Sequence, residues 1–201
     1  MALLALFPLE VVLLPGSDLP LHIFEPRYLE MTGECLANKT RFGIVRMQEQ
    51  GIAEIGCTAE IVEVAKKYSD GRLDLITQGR ERFEVLSVDQ ERSFLRAEII
   101  MLPDQPGAAG KEDTVRALDC HREILALAGA APSLSGDDDG ALSFRLAGSL
   151  PLDLDFKQKL LATLSERERM QELASYLENI LPGLRRAARA REKAGGNGHA
   201  R

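Results

Sequence analysis

A short turn in the first half of the chain restricts the fold most. Ser69-Asp70-Gly71 separates two strand-like runs, Ala59–Tyr68 and Arg72–Thr77. Asp-Gly between such runs is a strong hairpin signal, because glycine accepts a positive φ at little energetic cost. The two runs are therefore predicted to pair as neighbouring antiparallel strands.

Further apolar runs surround this hairpin. They are Leu9–Leu14, Phe42–Met47, Arg82–Val88 and Phe94–Leu102. The run Leu9–Leu14 is apolar except for Glu10 and ends at Pro15-Gly16, which favours a strand buried on both faces. Many short strands with close turns predict an antiparallel sheet that is closed, or nearly closed, into a barrel.

One helix interrupts the strands. Pro26 suits the first helical position, and Asn38 can end the helix. Between them Tyr28, Met31, Thr32, Cys35 and Leu36 fall at helical spacing. We place this helix between two strands, across one mouth of the barrel.

The chain beyond the Pro/Gly/Ala-rich linker Pro103–Gly110 is predicted to be helical. The first predicted helix is Lys111–Ala128. The second is capped by Asp137–Asp139 and runs to about Leu150, and a third can be capped by Asp155. Ser165 and Glu168 have capping-box spacing. The helix that they open carries an apolar stripe, which Pro182-Gly183 is expected to end: Met170, Leu173, Ala174, Leu177, Ile180 and Leu181.

These patterns predict an α+β architecture in three parts. Residues 1–108 form the barrel subdomain, residues 109–184 a helical subdomain, and residues 185–201 a basic, disordered tail. The tail carries a charge of +5, which leaves −11 on the rest of a chain whose net charge is −6. An acidic body repels phosphate, so any binding of nucleic acid would depend on the tail.

The number of cysteines and the lengths of the apolar runs indicate the cellular compartment of the protein. Cys35, Cys57 and Cys120 form no CxxC pair and are too few for a disulfide framework, which predicts a reducing, cytoplasmic location. No run reaches the ~18 apolar residues of a membrane span. The apolar start, Met1–Leu14, lacks a basic segment and is interpreted as a buried strand, not a signal peptide.

No motif in the chain indicates a catalytic centre. Gly107-Ala108-Ala109-Gly110-Lys111 has two residues between its glycines, where a phosphate-binding loop needs four. Cys120 and His121 are adjacent, so their side chains diverge on a helix and cannot pair as nucleophile and base by themselves. We therefore expect no enzyme activity, no metal and no cofactor.

Several ordered motifs resemble the N-terminal, substrate-binding domain of the Lon protease family. The opening signature combines Leu6-Phe7-Pro8-Leu9, Val12–Gly16 and Leu19–Tyr28. Asp70-Gly71-Arg72 and Gly79-Arg80-Glu81-Arg82-Phe83 resemble that family's hairpin and its Gly-x-x-Arg-Phe turn. Leu150-Pro151, Lys157–Leu161 and Ser165 to Met170 resemble its helical half, so the match spans roughly residues 6–182.

The resemblance implies a PUA-like β-barrel followed by a helical bundle, in a stand-alone member without ATPase or peptidase modules. It implies an ATP-independent, proteolysis-related module that binds unfolded or tagged polypeptides, as an adaptor or chaperone-like factor. A protease or ATPase partner and homo-oligomerisation stay open, and no membrane partner is expected. The alternative is an RNA-binding protein that uses the barrel and the basic tail.

The residues proposed to contact a peptide lie around the opening signature: His22, Phe24, Glu25, Arg27 and Tyr28. We expect them to border a groove between the barrel and the helical half. Three of them also have a structural interpretation. His22 can hydrogen-bond the backbone near the barrel mouth, Glu25 can favour the helix N-terminus, and Arg27 can pair locally.

Overall fold

The computed structural model describes residues 3–130 and 141–196. Its strands are β1 (Leu4–Leu9), β2 (Asp18–Ile23), β3 (Phe42–Gln48), β4 (Gly51–Ile52), β5 (Ile55–Lys67), β6 (Leu73–Asp89) and β7 (Arg96–Met101). Its helices are α1 (Pro26–Asn38), α2 (Lys111–Leu127), α3 (Leu142–Gly148), α4 (Leu154–Ala162) and α5 (Glu166–Gly196). Among the described residues, 3–104 and 141–164 form a barrel unit, and 105–130 and 165–196 form a helical unit.

The predicted hairpin is confirmed, and the sheet closes around it. Strands β5 and β6 pair antiparallel across a turn in which Gly71 has a φ of 93°. The sheet order is β1-β7-β6-β5-β3, and β1 also pairs with β3, so the strands form a closed ring. The β1–β3 pair is parallel, whereas an antiparallel sheet was predicted throughout. Leu6, Val45, Phe83 and Ala97 pack together inside the ring.

The first predicted strand is displaced. The strand is Leu4–Leu9, and the apolar run Leu9–Leu14 continues as a loop whose Leu13 and Leu14 are buried. This loop is apolar because it packs tightly against β6. The amide of Gly16 donates to the carbonyl of Gly79, and the amide of Gly79 donates to the carbonyl of Ser17, each at 2.9 Å.

Helix α1 has the predicted bounds, Pro26–Asn38. Its buried face includes Tyr28, Met31 and Cys35. Arg92, in the turn between β6 and β7, donates to the carboxylates of Glu30 and Glu34 on the exposed face. Lys39, the residue that follows α1, adopts the left-handed conformation that ends the helix, with a φ of 54°.

The two short helices α3 and α4 belong to the barrel unit, and this differs from the predicted division at residue 108. The guanidinium of Arg82 on β6 is 3% exposed and donates to the carbonyls of Leu161 at 3.0 Å and Thr163 at 2.8 Å. It also donates to the carboxylate of Asp104. Local sequence patterns do not reveal such a contact, because its partners lie about eighty positions apart.

The helix starts were predicted in part. Asp153, not Asp155, caps α4, and its Oδ1 accepts from the amides of Asp155 at 2.8 Å and Phe156 at 3.1 Å. Asp155 lies two residues after the cap position, and its carboxylate binds Arg46 at 2.6 Å. The amide of Glu168 donates to Ser165 Oγ at 3.3 Å, as the capping box predicts. The predicted cap Asp137–Asp139 lies outside the described residues.

In the helical unit, α5 continues through Pro182 to Gly196. The prediction that the helix ends at Pro182 is therefore wrong. The prediction of a disordered tail from residue 185 is also wrong for residues 185–196, which are helical. The predicted stripe is buried at Met170, Leu173, Ala174, Leu177 and Leu181. Two ion pairs join α5 to α2, Glu178 with Arg116 at 2.5 Å and Arg185 with Glu123 at 2.6 Å. The second pair lies beyond the proline, and the alanines and arginines that follow are good helix formers.

Replacing Gly79 with alanine is expected to destabilise the protein by about 2 kcal/mol or more, because a Cβ there would lie 2.3 Å from the carbonyl oxygen of Leu14, which is backbone and cannot move away. Urea denaturation measures the change. Gly33→Ala is the matched control. No atom lies within 4 Å of a Cβ at this position in α1, so the alanine should stabilise by roughly 0.5–1 kcal/mol. Equal effects of the two substitutions would contradict the packing described.

Replacing Arg82 with alanine should lower the free energy of unfolding by about 3 kcal/mol, since it leaves two carbonyls and a carboxylate without their donor. Arg80→Ala, two residues away on β6, is the control. Arg80 pairs with a partly exposed Glu60 at 2.7 Å, and such pairs contribute less than about 1 kcal/mol. A loss in Arg82→Ala no larger than in Arg80→Ala would contradict this role.

Candidate functional site

The five residues singled out in the sequence separate into two groups. His22 is exposed on β2, and Phe24, which follows this strand, has 60% of its surface exposed. Tyr28 is only 7% exposed, and its ring stacks on Phe7 with the centroids 4.0 Å apart. Burial raises the pKa of Tyr28 above its ordinary value. Tyr28 therefore packs in the core and has little surface left for a ligand.

Glu25 and Arg27 bind each other. Arg27 Nε donates to Glu25 Oε2 at 2.9 Å, and the guanidinium of Arg27 lies 4.6 Å from the centre of the Tyr28 ring. Glu25 precedes α1 in an extended conformation, and its side chain accepts no capping hydrogen bond. The local pairing of Arg27 agrees with its structural interpretation. A contact of either residue with a peptide stays a prediction.

His22 has a side-chain partner, where a backbone partner was expected. Its Nδ1 lies 2.5 Å from Asp74 Oδ1, and the hydroxyl of Tyr68 donates to Asp74 Oδ2 at 2.9 Å. These hydrogen bonds, first that from His22 and then that from Tyr68, lower the pKa of Asp74. The carboxylate is thus held ionised, and it fixes the orientation of both rings.

The rings and cations around Asp74 form a surface that we name the ribbon cluster. Its members are His22, Phe24, Lys66, Tyr68, Arg72 and Asp74. The His22 ring lies 5.9 Å from that of Phe24 and 5.7 Å from that of Tyr68, measured between centroids. The Nζ of Lys66 lies 4.4 Å, and the guanidinium carbon of Arg72 4.9 Å, from the centre of the Tyr68 ring. Such a surface can hold apolar or aromatic groups together with anions.

The sequence patterns did not single out four members of the cluster: Lys66, Tyr68, Arg72 and Asp74. Because these residues flank the predicted Asp70-Gly71 turn, the sequence places them near one another, but it does not place them near His22. Strand β2 pairs antiparallel with β6, and this places His22 directly opposite Asp74. No turn connects these strands, because α1 and three further strands lie between them in the chain.

The arrangement suits binding better than catalysis. The hydroxyl of Tyr68 donates to Asp74 and not to His22, so it is not placed as a nucleophile beside the imidazole. Cys57 is fully buried, and burial raises its pKa to about 12. Within residues 3–130 and 141–196, no group of three His, Cys, Asp or Glu side chains is placed to hold a metal ion.

Comparison with known proteins assigns the family. The family described as the ATP-dependent protease La (LON) substrate-binding domain matches residues 4–179. The chain belongs to the Lon substrate-binding domain family. The Lon protease of Anaeromyxobacter dehalogenans is 26% identical over 194 residues, which are 88% of this chain and 23% of that protein. The Lon protease of Parabacteroides distasonis is 30% identical over 103 residues, 47% of this chain and 12% of its own length. The chain thus spans about a quarter or less of these curated relatives.

Solved structures of Lon N-terminal domains have the same fold. The Lon N-terminal domain protein from Xanthomonas campestris superimposes with a TM-score of 0.71 at 27% identity, over 88% of this chain and 99% of that one. The N-terminal domain of the Mycobacterium avium complex Lon protease gives a TM-score of 0.62 at 17% identity, over 88% and 98%. The predicted fold class and family are confirmed. None of the described helices is both long and apolar enough to cross a membrane.

The carboxyl of Asp74 should titrate below the ordinary aspartate value of about 4. Because its pKa is lower in the folded state, its hydrogen bonds stabilise the fold above the unfolded pKa and are lost as the pH falls through the folded one. The melting temperatures of the wild type and Asp74→Asn should therefore differ at neutral pH and converge once the pH falls below the folded pKa of Asp74. Carboxyl ¹³C NMR titration measures the pKa. His22→Ala should raise it more than Tyr68→Phe, and an unchanged value in His22→Ala would contradict the geometry.

Proposed function

We propose that this protein is a non-catalytic module that recognises unfolded or tagged polypeptides through the ribbon cluster. Membership of the Lon substrate-binding domain family supports substrate recognition in general. The observation that carries the location is Phe24, a large apolar side chain with 60% of its surface exposed, whose ring lies 5.9 Å from that of His22. The two cations of the cluster lie against the ring of Tyr68, which is 5.7 Å from that of His22. Exposed aromatic groups that are rimmed by polar ones are typical of protein-binding surfaces.

The cluster offers an apolar contact to an unfolded chain, and its own hydrogen bonds preorganise it for binding. Phe24 and the exposed face of His22 can cover an apolar side chain that is buried in a folded protein. The hydrogen bonds that Asp74 forms with His22 and with the hydroxyl of Tyr68 hold this surface in one conformation before a ligand arrives. Less conformational entropy is then lost on binding, which raises the affinity.

We further propose that the module acts as an adaptor or chaperone-like factor that works with a separate ATPase or protease. The matched relatives are named Lon protease, and the chain corresponds to 23% of the length of the first. A cytoplasmic location is part of this proposal. It is supported by Cys35, Cys57 and Cys120, which are buried and free.

RNA binding is the second candidate, and one observation favours it. Arg186, Arg189 and Lys193 are exposed and follow one face of α5 at helical spacing, where a disordered tail was expected. Phosphates spaced along a strand could pair with such a stripe. The acidic charge on the rest of the chain and the lack of aromatic residues between these cations count against RNA as the main ligand.

Binding of fluorescently labelled casein, an unfolded and acidic polypeptide, tests the proposed function. Fluorescence anisotropy should show saturable binding at micromolar protein. Phe24→Ala should weaken it about tenfold, since removing an aromatic anchor costs roughly 1–2 kcal/mol. The matched control is Leu86→Ala on β6, because Leu86 is 61% exposed but lies outside the cluster. No saturable binding, or equal losses in both variants, would contradict the proposed function or its location.

A further inference from the structure

The barrel unit carries a three-stranded ribbon with two open edges. Its strands are β2, the first half of β6 and the second half of β5, with β6 in the middle. Among the described strands β2 pairs only with β6, and its register runs without a break from Asp18 opposite Gln78 to Ile23 opposite Leu73. A regular, unpaired edge is a template for a further strand.

The edge of β5 differs in a way that protects it. The register between β5 and β6 shifts between Ile61 and Glu63 and again between Val64 and Lys66. Such bulges bend a strand and misalign its free backbone groups, and sheet edges use them to prevent further pairing. The edge of β2 has no shift of this kind, so it is the better template of the two.

Pro20 indicates which backbone groups of β2 face away from β6. Proline has no amide hydrogen, and inside a strand it lies with its nitrogen towards the open side. The carbonyl of Leu19 accepts from Thr77 Oγ1 at 2.8 Å, which places Leu19 on the β6 side. Because neighbouring residues alternate in an antiparallel strand, the amides and carbonyls of Asp18 and His22 face the open edge with the carbonyl of Pro20.

The hairpin end of the ribbon carries two lysines on β5, on the far side of β6 from β2. Lys66 and Lys67 form no ion pair with the described residues, whereas Arg72 pairs with Asp70 at 2.8 Å. In the register, Lys67 is opposite Leu73, which is opposite Ile23. A strand on the open edge of β2 that runs past Ile23 therefore reaches the level of these lysines and of Phe24, but it lies three strand spacings, roughly 14 Å, from β5. Lys66 is also opposite the carboxylate of Asp74, so the excess of positive charge is small. At low ionic strength it attracts a segment with carboxylates through space.

We propose that an extended, acidic polypeptide segment adds as a strand to the open edge of β2. Its backbone pairs with Asp18 and His22, an apolar side chain covers Phe24, and its carboxylates are attracted through space by Lys66 and Lys67 across the ribbon. This mode of binding rests on the proposed function, because it assumes a polypeptide ligand. Pro20 leaves only two amide donors on the edge, so the added strand is short and its binding reversible.

Proline substitution tests the backbone contact. His22→Pro removes the amide of His22 from the open edge, and His22→Ala removes the imidazole but keeps that amide. Casein should bind His22→Pro about fivefold more weakly than His22→Ala, the effect of one neutral hydrogen bond. Val62→Pro, within the first bulge of β5, is the matched control and should bind as the wild type does. Similar binding by the two His22 variants would overturn the proposal.

A second measurement does not depend on folding of the proline variants. The tightest-binding ten-residue peptide from an array of casein sequences is synthesised with one N-methyl group at each position in turn. Strand addition predicts losses at every second position, because only alternate amides of the peptide face β2. Losses at no position, or without this alternation, would mean recognition by side chains alone and would overturn strand addition while leaving polypeptide recognition intact.

Charge reversal tests the choice of segment. At low ionic strength, Lys66→Glu/Lys67→Glu should weaken binding of an acidic peptide several-fold and leave its glutamine and asparagine analogue nearly unaffected. Equal losses for both peptides would contradict the assigned attraction between the lysines and the carboxylates. Labelled poly(U) is the comparison ligand. If poly(U) binds with a steep dependence on salt while no casein peptide binds, the proposed function fails and strand addition fails with it.

Discussion

The structure of the barrel unit depends on one buried cation. Arg82 lies inside the fold, where an unpaired charge would be very costly, so its donors must meet acceptors. The acceptors come from the segment before the linker, through Asp104, and from the end of α4, through the carbonyls of Leu161 and Thr163. The guanidinium also lies 5.5 Å from the centre of the Phe144 ring of α3. One side chain of the barrel thereby joins two later helices to it. Hydrogen bonds from Arg46 to Asp155 and from Gln158 to the carbonyl of Ile55 attach α4 as well, so the unit is discontinuous in sequence.

The same strand supports both the core and the candidate binding surface. In its second half β6 lies in the closed ring, with Phe83 in the core and Gly79 against the loop carbonyl of Leu14. In its first half it leaves the ring and pairs with β2 and with the outer part of β5. Asp74 lies in this outer half, where it holds His22 and Tyr68. The ribbon cluster is thus anchored through a continuous strand to the most buried part of the unit.

An open strand edge is a hazard as well as a binding surface, because it can pair with another copy or with any extended chain. The ribbon limits this hazard differently on its two sides. Bulges disturb the edge of β5, whereas a single proline removes one donor from the edge of β2. A module that binds unfolded segments needs an edge that pairs weakly and briefly, and a regular edge with one missing donor meets both conditions.

The sequence by itself determined the features that depend on neighbouring residues. These are the β5–β6 hairpin at Asp70-Gly71, the bounds of α1, the cap at Ser165, and the family signature that implied the barrel. Turns and caps involve hydrogen bonds within a few residues, so their signals are local. The sequence also pointed to His22 and Phe24, but it grouped with them Tyr28, whose ring is buried on Phe7.

Only the tertiary structure decided which distant segments meet. It showed the parallel β1–β3 pair, the loop at Leu9–Leu14, the attachment of α3 and α4 to the barrel unit, and the continuation of α5 past Pro182. It also placed Asp74 opposite His22, fifty-two positions away. Each of these features is set by packing and pairing between residues far apart in the chain, and many arrangements of such residues satisfy the same local preferences until the core selects one.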